Sequence, residues 1–243
     1  MTGSTTTHSR TIVTIMSTTD AALYRLMTWL SPSYPVGAYS YSHGIEYAVE
    51  AGLVHDRDSL RAWVGDAIRR GGGWSDAALL RAAWEATDAE DPGRLDAIVE
   101  FAAAWRGSAE MALESGAQGA AFLATTRTAW PHPILDELAL RWRNAAMLPV
   151  AVGVVAAAHG VALAPALTAY LHAFASNLVS AGLRLIPLGQ SDGQRAIAAL
   201  ESDIVAAVDA ALTTPLEDIG TASPIIDWCS MRHETQYTRL FRS

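Results

Sequence analysis

The sequence predicts an all-α fold, a single-domain helical bundle of about ten helices. Three observations carry that prediction. Apolar residues recur every three or four positions along most of the chain, with capping residues ahead of the periodic segments and Gly or Pro behind them. The composition is 51% hydrophobic, only 17% charged and rich in Ala, which favours helix and argues against general disorder. No run sustains the two-residue alternation of a strand, and no repeat or clear linker divides the 243 residues.

Residues 1–18, rich in Thr and Ser, read as a flexible polar extension, and the apolar run from Ile12 to Met16 is too short for a signal-peptide core. Helices are expected over 20–30 and 42–51. Asp56 then stands before a segment in which Leu60, Trp63, Val64, Ala67 and Ile68 share a face. Arg69 and Arg70 complement the C-terminus of that helix, and Gly71, Gly72 and Gly73 stop it.

Further helices are expected over 75–87, 94–105, 108–124 and 134–143. After Ser108, a stripe of Ala112, Gly116 and Gly119 admits a neighbouring helix at close range. The apolar stretch 145–171 is interrupted by Pro149, His159, Gly160 and Pro165, so it reads as two buried helices rather than a membrane span. From Pro165 to Ile186, Leu167, Leu171, Phe174 and Leu178 face one way and Thr168, His172, Ser176, Ser180 and Arg184 the other. Beyond Pro187 and Gly189 one more helix aligns Ile197, Leu200, Ile204, Val208 and Leu212 until Pro215 ends it. The resulting organisation is an extension over 1–18, a helical domain over 19–228 and a C-terminal docking tail over 229–243.

Several chemistries are excluded. The net charge of −8 gives no electrostatic footprint for nucleic acid. All seventeen basic residues are Arg, so a P-loop lysine, a Schiff-base lysine and a Ser-x-x-Lys nucleophile are missing. A single cysteine, Cys229, allows no intramolecular disulfide and fits a reducing compartment. There is no Gly-x-Ser-x-Gly elbow, no Gly-x-Gly-x-x-Gly loop, no His-Glu-x-x-His and no Glu-x-x-His pair. Two sparse metal pairings remain, His43 with Glu46 and Cys229 with His233. Each has a plainer reading, a cap or packing role for His43 and a buried small apolar role for Cys229.

Two segments are more particular. Ser31 to Gly44 packs two prolines, two glycines and three tyrosines into a stiff aromatic turn, either a packed interhelical connection or a partner surface. The tail Met231 to Ser243 carries three Arg and one Glu in an acidic chain and ends with Phe241 between arginines. It reads as a docking tail, with packing on its own domain as the alternative.

These blocks resemble the urease accessory protein F family. The resemblance rests on Ser31-Pro32 through Pro35-Val36-Gly37, Tyr39 to Ser42 with Gly44 and Glu46, on Ser180 and Arg184 to Gln190 with Asp192 to Arg195, and on Ser230 to Ser243, in the family's order. Ala38, Tyr39 and Ser191 depart from common family residues. The resemblance implies a cytoplasmic, all-helical protein that is not an enzyme and has no catalytic residues. It implies a homodimer that assembles with the D-type (or H-type) accessory protein and the G-type accessory GTPase, so that nickel and carbon dioxide reach apo-urease, with no membrane or nucleic-acid partner.

On that resemblance, the expected partner-binding residues are Pro35, Gly37, Tyr39, Ser40, Tyr41 and Ser42 in the loop, with Arg232, His233, Glu234, Tyr237, Arg239, Leu240, Phe241 and Arg242 in the tail. The tail is expected to be loosely held until a partner orders it on the loop, with Arg239 and Arg242 bound by tyrosines or carbonyls. Gln190, Asp192, Gly193, Gln194 and Arg195 are expected to cap the following helix or to line a dimer or partner contact. No cofactor is bound tightly. Nickel is handled in transit, with Glu46 and then His43 as the residues it passes. The alternative activity is a GTPase-activating one, with Arg232, Arg239 or Arg242 donated to the partner's phosphate site.

Overall fold

The computed structural model describes residues 18–142 and 146–243. The polar extension expected over 1–18 lies outside the described residues apart from Thr18, which opens the first helix. Regular structure among the described residues is entirely helical. It comprises α1 (Thr18–Trp29), α2 (Ile45–Glu50), α3 (Arg57–Arg70), α4 (Gly72–Asp88), α5 (Pro92–Ala104), α6 (Ala109–Ala129), α7 (Pro133–Trp142), α8 (Leu148–Ala158), α9 (Leu163–Leu185), α10 (Gln190–Ala199), α11 (Glu201–Thr213) and α12 (Pro224–His233). Short 3-10 turns occupy Ala38–Ser40 and Leu216–Asp218. The all-α expectation is met.

Local chemistry sets many of the boundaries. Asp56 caps α3 by accepting from Ser59 N at 2.8 Å, while Ser59 Oγ accepts from Asp56 N at 3.0 Å. Ser108 Oγ likewise accepts from Met111 N at the start of α6, and Pro92, Pro149 and Pro224 occupy first-turn positions where a missing N–H costs nothing.

The centre is α4 packed on α8. Both are buried on nearly every side, α4 through Ala77 to Leu80, Ala82, Ala83 and Ala86, and α8 through Pro149 to Ala156. Small side chains let the axes approach, and a Cβ at Gly153 would overlap Leu80 O. Helix α9 lies alongside with Leu167, Leu171, Ala175 and Leu178 inward, while Thr168, His172, Ser180 and Arg184 are exposed. Among the described residues no helix is long and apolar enough to cross a membrane.

Three boundaries differ from the sequence expectation. Gly71 ends α3, but Gly72 and Gly73 begin α4 instead of extending the stop. The helix expected after Gly189 is two helices meeting at Leu200, whose amide is shared between Ala196 O and Ile197 O; the bend keeps Leu200, Ile204 and Val208 in the core. Helix α12 was not anticipated. Its buried face mixes Ile226 and Cys229 with Ser230 and His233, which blurs the apolar periodicity. It also runs through position 229, where the tail was expected to begin.

Candidate functional site

The aromatic turn and the tail meet in one seat. Gly37 and Gly44 take left-handed backbone (φ 74° and 80°), turning the chain tightly into α2. A side chain at Gly44 would sit 2.9 Å from Ser230 N, so the glycine also lets α12 abut the start of α2. Tyr34 is buried, with its hydroxyl 2.8 Å from Thr126 Oγ1, and Tyr41 and Ser42 are buried as well. Tyr39 is 70% exposed, and Pro35 also faces solvent.

Three buried carboxylates hold the tail against this turn. Glu46 Oε1 accepts from Leu240 N at 2.6 Å, and Glu46 Oε2 accepts from Phe241 N at 2.9 Å and lies 3.0 Å from His233 Nε2. Glu110 Oε2 is 2.7 Å from His233 Nδ1, and Glu110 Oε1 accepts from Arg239 Nη1 at 3.0 Å. Glu114 Oε2 accepts from Ser243 Oγ at 2.8 Å. The backbone completes the clasp, since Arg242 N donates to Ser40 O (2.8 Å) and Ser42 N and Oγ both donate to Ser243 O (2.7 and 2.6 Å).

Electrostatics explains why this polar cluster can be buried. His233 is 0% exposed and lies between two carboxylates, so both ring nitrogens face an acceptor. Burial pushes the Glu110 carboxyl up from its ordinary value, against the lowering effect of His233 and Arg239. Burial lowers His43, but the Glu114 carboxylate 3.7 Å from its Nδ1 and the more distant Asp76 outweigh it, so the ring is held above its ordinary value. Phe241 is buried under the Arg184 guanidinium, 4.2 Å from the ring centroid, which ties the tail to α9.

Most of the sequence-predicted site residues converge here. Loop residues Tyr39 to Ser42 and tail residues His233, Arg239, Leu240, Phe241 and Arg242 share the seat, whereas Glu234 and Tyr237 are exposed beyond it. Arg242 lies over the Tyr41 ring at 5.7 Å, as expected, but Arg239 is held by the Glu110 carboxylate rather than by a tyrosine or carbonyl. Arg232 stacks on Tyr47 at 5.7 Å. The tail, expected to be loosely held alone, is seated within the single chain because Glu46, Glu110 and Glu114 satisfy its donors.

Glu110 and Glu114 were missed from sequence. With Gln118 they form a polar i, i+4, i+8 stripe on α6, and all three are buried; that stripe was the available signal. The 190–195 turn lies apart from the seat. Asp192 Oδ2 accepts from Gly189 N at 3.3 Å and Oδ1 from Arg195 Nη1 at 3.0 Å, which is a helix-start arrangement. Gly193 packs on Leu183, while Gln190, Gln194 and Arg195 are exposed. Among the described residues no group of three or more His, Cys, Asp or Glu is gathered to hold a metal.

The chain thus closes its C-terminal segment over an aromatic turn and leaves Tyr39, Tyr237, Arg232 and Arg242 outward. The UreF family model matches residues 54–201. Urease accessory protein UreF of Granulibacter bethesdensis is 56% identical over 227 residues, covering 93% of this chain and 96% of the relative. Proteins of the same name from Rhodopseudomonas palustris strain TIE-1 and Bradyrhizobium sp. strain ORS 278 are 53% and 52% identical, each covering 92% of this chain and 93% and 92% of their own. The chain belongs to the UreF family.

Proposed function

We propose that this protein is a urease maturation factor that acts as a non-catalytic assembly scaffold. In this reading a homodimer binds the D-type (or H-type) accessory protein and the accessory GTPase G in the cytoplasm and enables nickel insertion into apo-urease. The single observation that carries it is the seat itself. Residues as far as 201 positions apart fold together there, with Tyr39, Leu240, Arg232 and Arg242 exposed to solvent around the seat. Rigid aromatics and arginines on a pre-formed surface are what a protein partner needs.

Nickel is cargo in this reading, passed along and not stored. Both oxygens of Glu46 are engaged by the tail, so passage at Glu46 and His43 requires Leu240 and Phe241 to let go of that carboxylate.

Co-purification of the chain, tagged at its N-terminus, with the D-type protein and the GTPase tests the scaffold, read by light scattering on a sizing column. Multiples of one copy of each, lost on deletion of residues 231–243 with helix content kept, are the expected result. An intact three-protein complex after that deletion overturns the docking role of the tail.

One observation favours a second reading, activation of the GTPase. Among the described residues Arg232 and Arg242 have no carboxylate partner, unlike Arg239, and so are free to enter a phosphate site. GTP hydrolysis by the partner, measured with and without this chain, separates the two: a scaffold binds without accelerating it.

A further inference from the structure

The end of α4 remote from the seat borders a cavity of about 550 Å³. Gly72, at the start of α4, lies against His43 of the aromatic turn, and the helix is 17 residues long, so at roughly 1.5 Å per residue its far end stands about 25 Å away. The C-terminal end of α8, the first turn of α5 and one face of α7 complete the lining. Much of that lining is apolar, from buried Ala86, Leu95 and Leu138 and half-buried Ile134 and Trp142. Trp142 is fixed there, because its indole N–H donates to Asp96 Oδ1 at 2.7 Å. Cavities that hold small organic molecules run from about 300 to 1,000 Å³.

The charge around this apolar lining is negative. Asp88 and Ala158, the last residues of α4 and α8, both border the cavity, so two carbonyl helix ends with their partial negative charge meet there. Asp88, Glu90, Asp91 and Glu137 add four carboxylates, against the guanidinium of Arg141, which is already engaged by Asp96 and Glu137. Asp91 Oδ1 accepts from Arg94 N at 2.9 Å, and His132 Nδ1 accepts from Ile134 N at 3.4 Å. Asp88 and Glu90 have no hydrogen-bond or ion-pair partner among the described residues. The two helices end alike, with Asp91 N donating to Ala86 O and Glu90 N to Thr87 O on α4, as Val161 N does to Ala156 O and Gly160 N to Ala157 O on α8. The left-handed residue is Gly160 (φ 68°) after α8 but Glu90 (φ 51°) after α4, so the chain holds a carboxylate at the cavity against its own backbone preference.

We propose that this cavity binds a small organic cation with an apolar body, of the primary alkylammonium class. The alkyl chain lies against Leu95, Ile134, Leu138 and Trp142, while Asp88 and Glu90, unpartnered within the chain, take the ammonium group. Charge complementarity selects this occupant. An anion meets four carboxylates and two carbonyl helix ends. A bare metal ion finds apolar walls and, among the described residues, no group of three or more His, Cys, Asp or Glu gathered to hold it. A neutral hydrocarbon gains the walls alone. The volume is that of a small-molecule site rather than of a socket for one side chain of a docking protein. The inference is independent of the scaffold reading.

The test is a titration of the ¹⁵N-labelled full-length protein at neutral pH and matched ionic strength with hexylammonium chloride, sodium hexanoate, n-hexanol and ammonium chloride, following the Trp142 indole N–H. Saturable shifts are expected with hexylammonium, with hexanol about tenfold weaker and with hexanoate and ammonium weaker still. Added sodium chloride weakens hexylammonium and leaves hexanol unchanged, because only the charged contact is screened. Glu90→Gly relaxes the left-handed backbone, so it raises the thermal midpoint and yet weakens hexylammonium about threefold, a combination that a purely structural Glu90 does not give. Adding Asp88→Asn brings the loss to about tenfold, the level of hexanol. Ala158→Phe fills the cavity from α8 without touching the carboxylates and abolishes binding of both hexylammonium and hexanol. Glu201→Gln, which removes an equal charge at the start of α11, binds as the parent does. Shifts that never saturate, that are equal for hexylammonium, hexanol and hexanoate, or that survive either the paired carboxylate substitutions or Ala158→Phe overturn the proposal.

Discussion

His233 Nε2 lies 3.0 Å from Glu46 Oε2 across 187 positions of sequence, and the same Glu46 oxygen accepts from Phe241 N. One carboxylate thus joins α2, α12 and the tail. Tail backbone groups that would otherwise sit unpaired in a buried environment are satisfied by this contact, which is why the tail can close there.

Glu46→Gln removes the charge that this geometry needs. An amide presents an NH₂ toward donors on at least one side, and breaking a buried charged contact costs about 3 kcal/mol. Hydrogen exchange should show the amides of Leu240 and Phe241 losing protection while the α4 amides keep theirs. Unchanged protection at the tail would count against the seat as drawn.

The His43 interaction has a pH sign. Its folded value is raised above the ordinary 6.5, chiefly because Glu114 outweighs the opposing burial. Its contribution is fully present below 6.5 and is lost as pH rises through the raised folded value. Thermal melts of the parent and His43→Gln should therefore differ most at pH 6 and converge at higher pH; a gap that widens with pH contradicts the assignment.

Two glycines on α6 should respond in opposite ways to alanine. At Gly119 a Cβ would overlap Ala146 O, so Gly119→Ala should destabilise by about 1–3 kcal/mol. At Gly116 the nearest atom is Met147 S at 3.9 Å, so Gly116→Ala should gain up to about 1 kcal/mol in helix propensity. Urea denaturation midpoints decide both.

Cys229 is buried, and burial pushes its thiol up to about 11. It should react with a thiol reagent at neutral pH only as fast as the protein opens, and promptly in denaturant. Rapid labelling of the folded protein would contradict its position in α12.

Arg195→Ala should leave stability within about 0.5 kcal/mol, since its pair with Asp192 is exposed. Oligomeric state and partner capture by the variant then test whether this turn does more than start α10. If both are unchanged, only the structural role remains.

The helices with one apolar face were legible. Asp56, Ser108 and the leucines of α9 gave their positions because a cap or a 3.6-residue stripe is a local property. Helix α12 was not legible, because its buried face contains Ser230 and His233 and owes its burial to Ser108 and Glu110 on another helix. The loop and tail could be singled out by composition and resemblance, but not the carboxylates that join them.

What the sequence determined by itself is the helical class, the caps and the two unusual segments, each encoded within a few neighbouring residues. Only the tertiary structure decided that Glu46, Glu110 and Glu114 clasp the tail and that Arg106 pairs with Asp76. The physical reason is that a buried charge is tolerated only beside its partner, and the partners here lie 30 to 195 residues away along the chain.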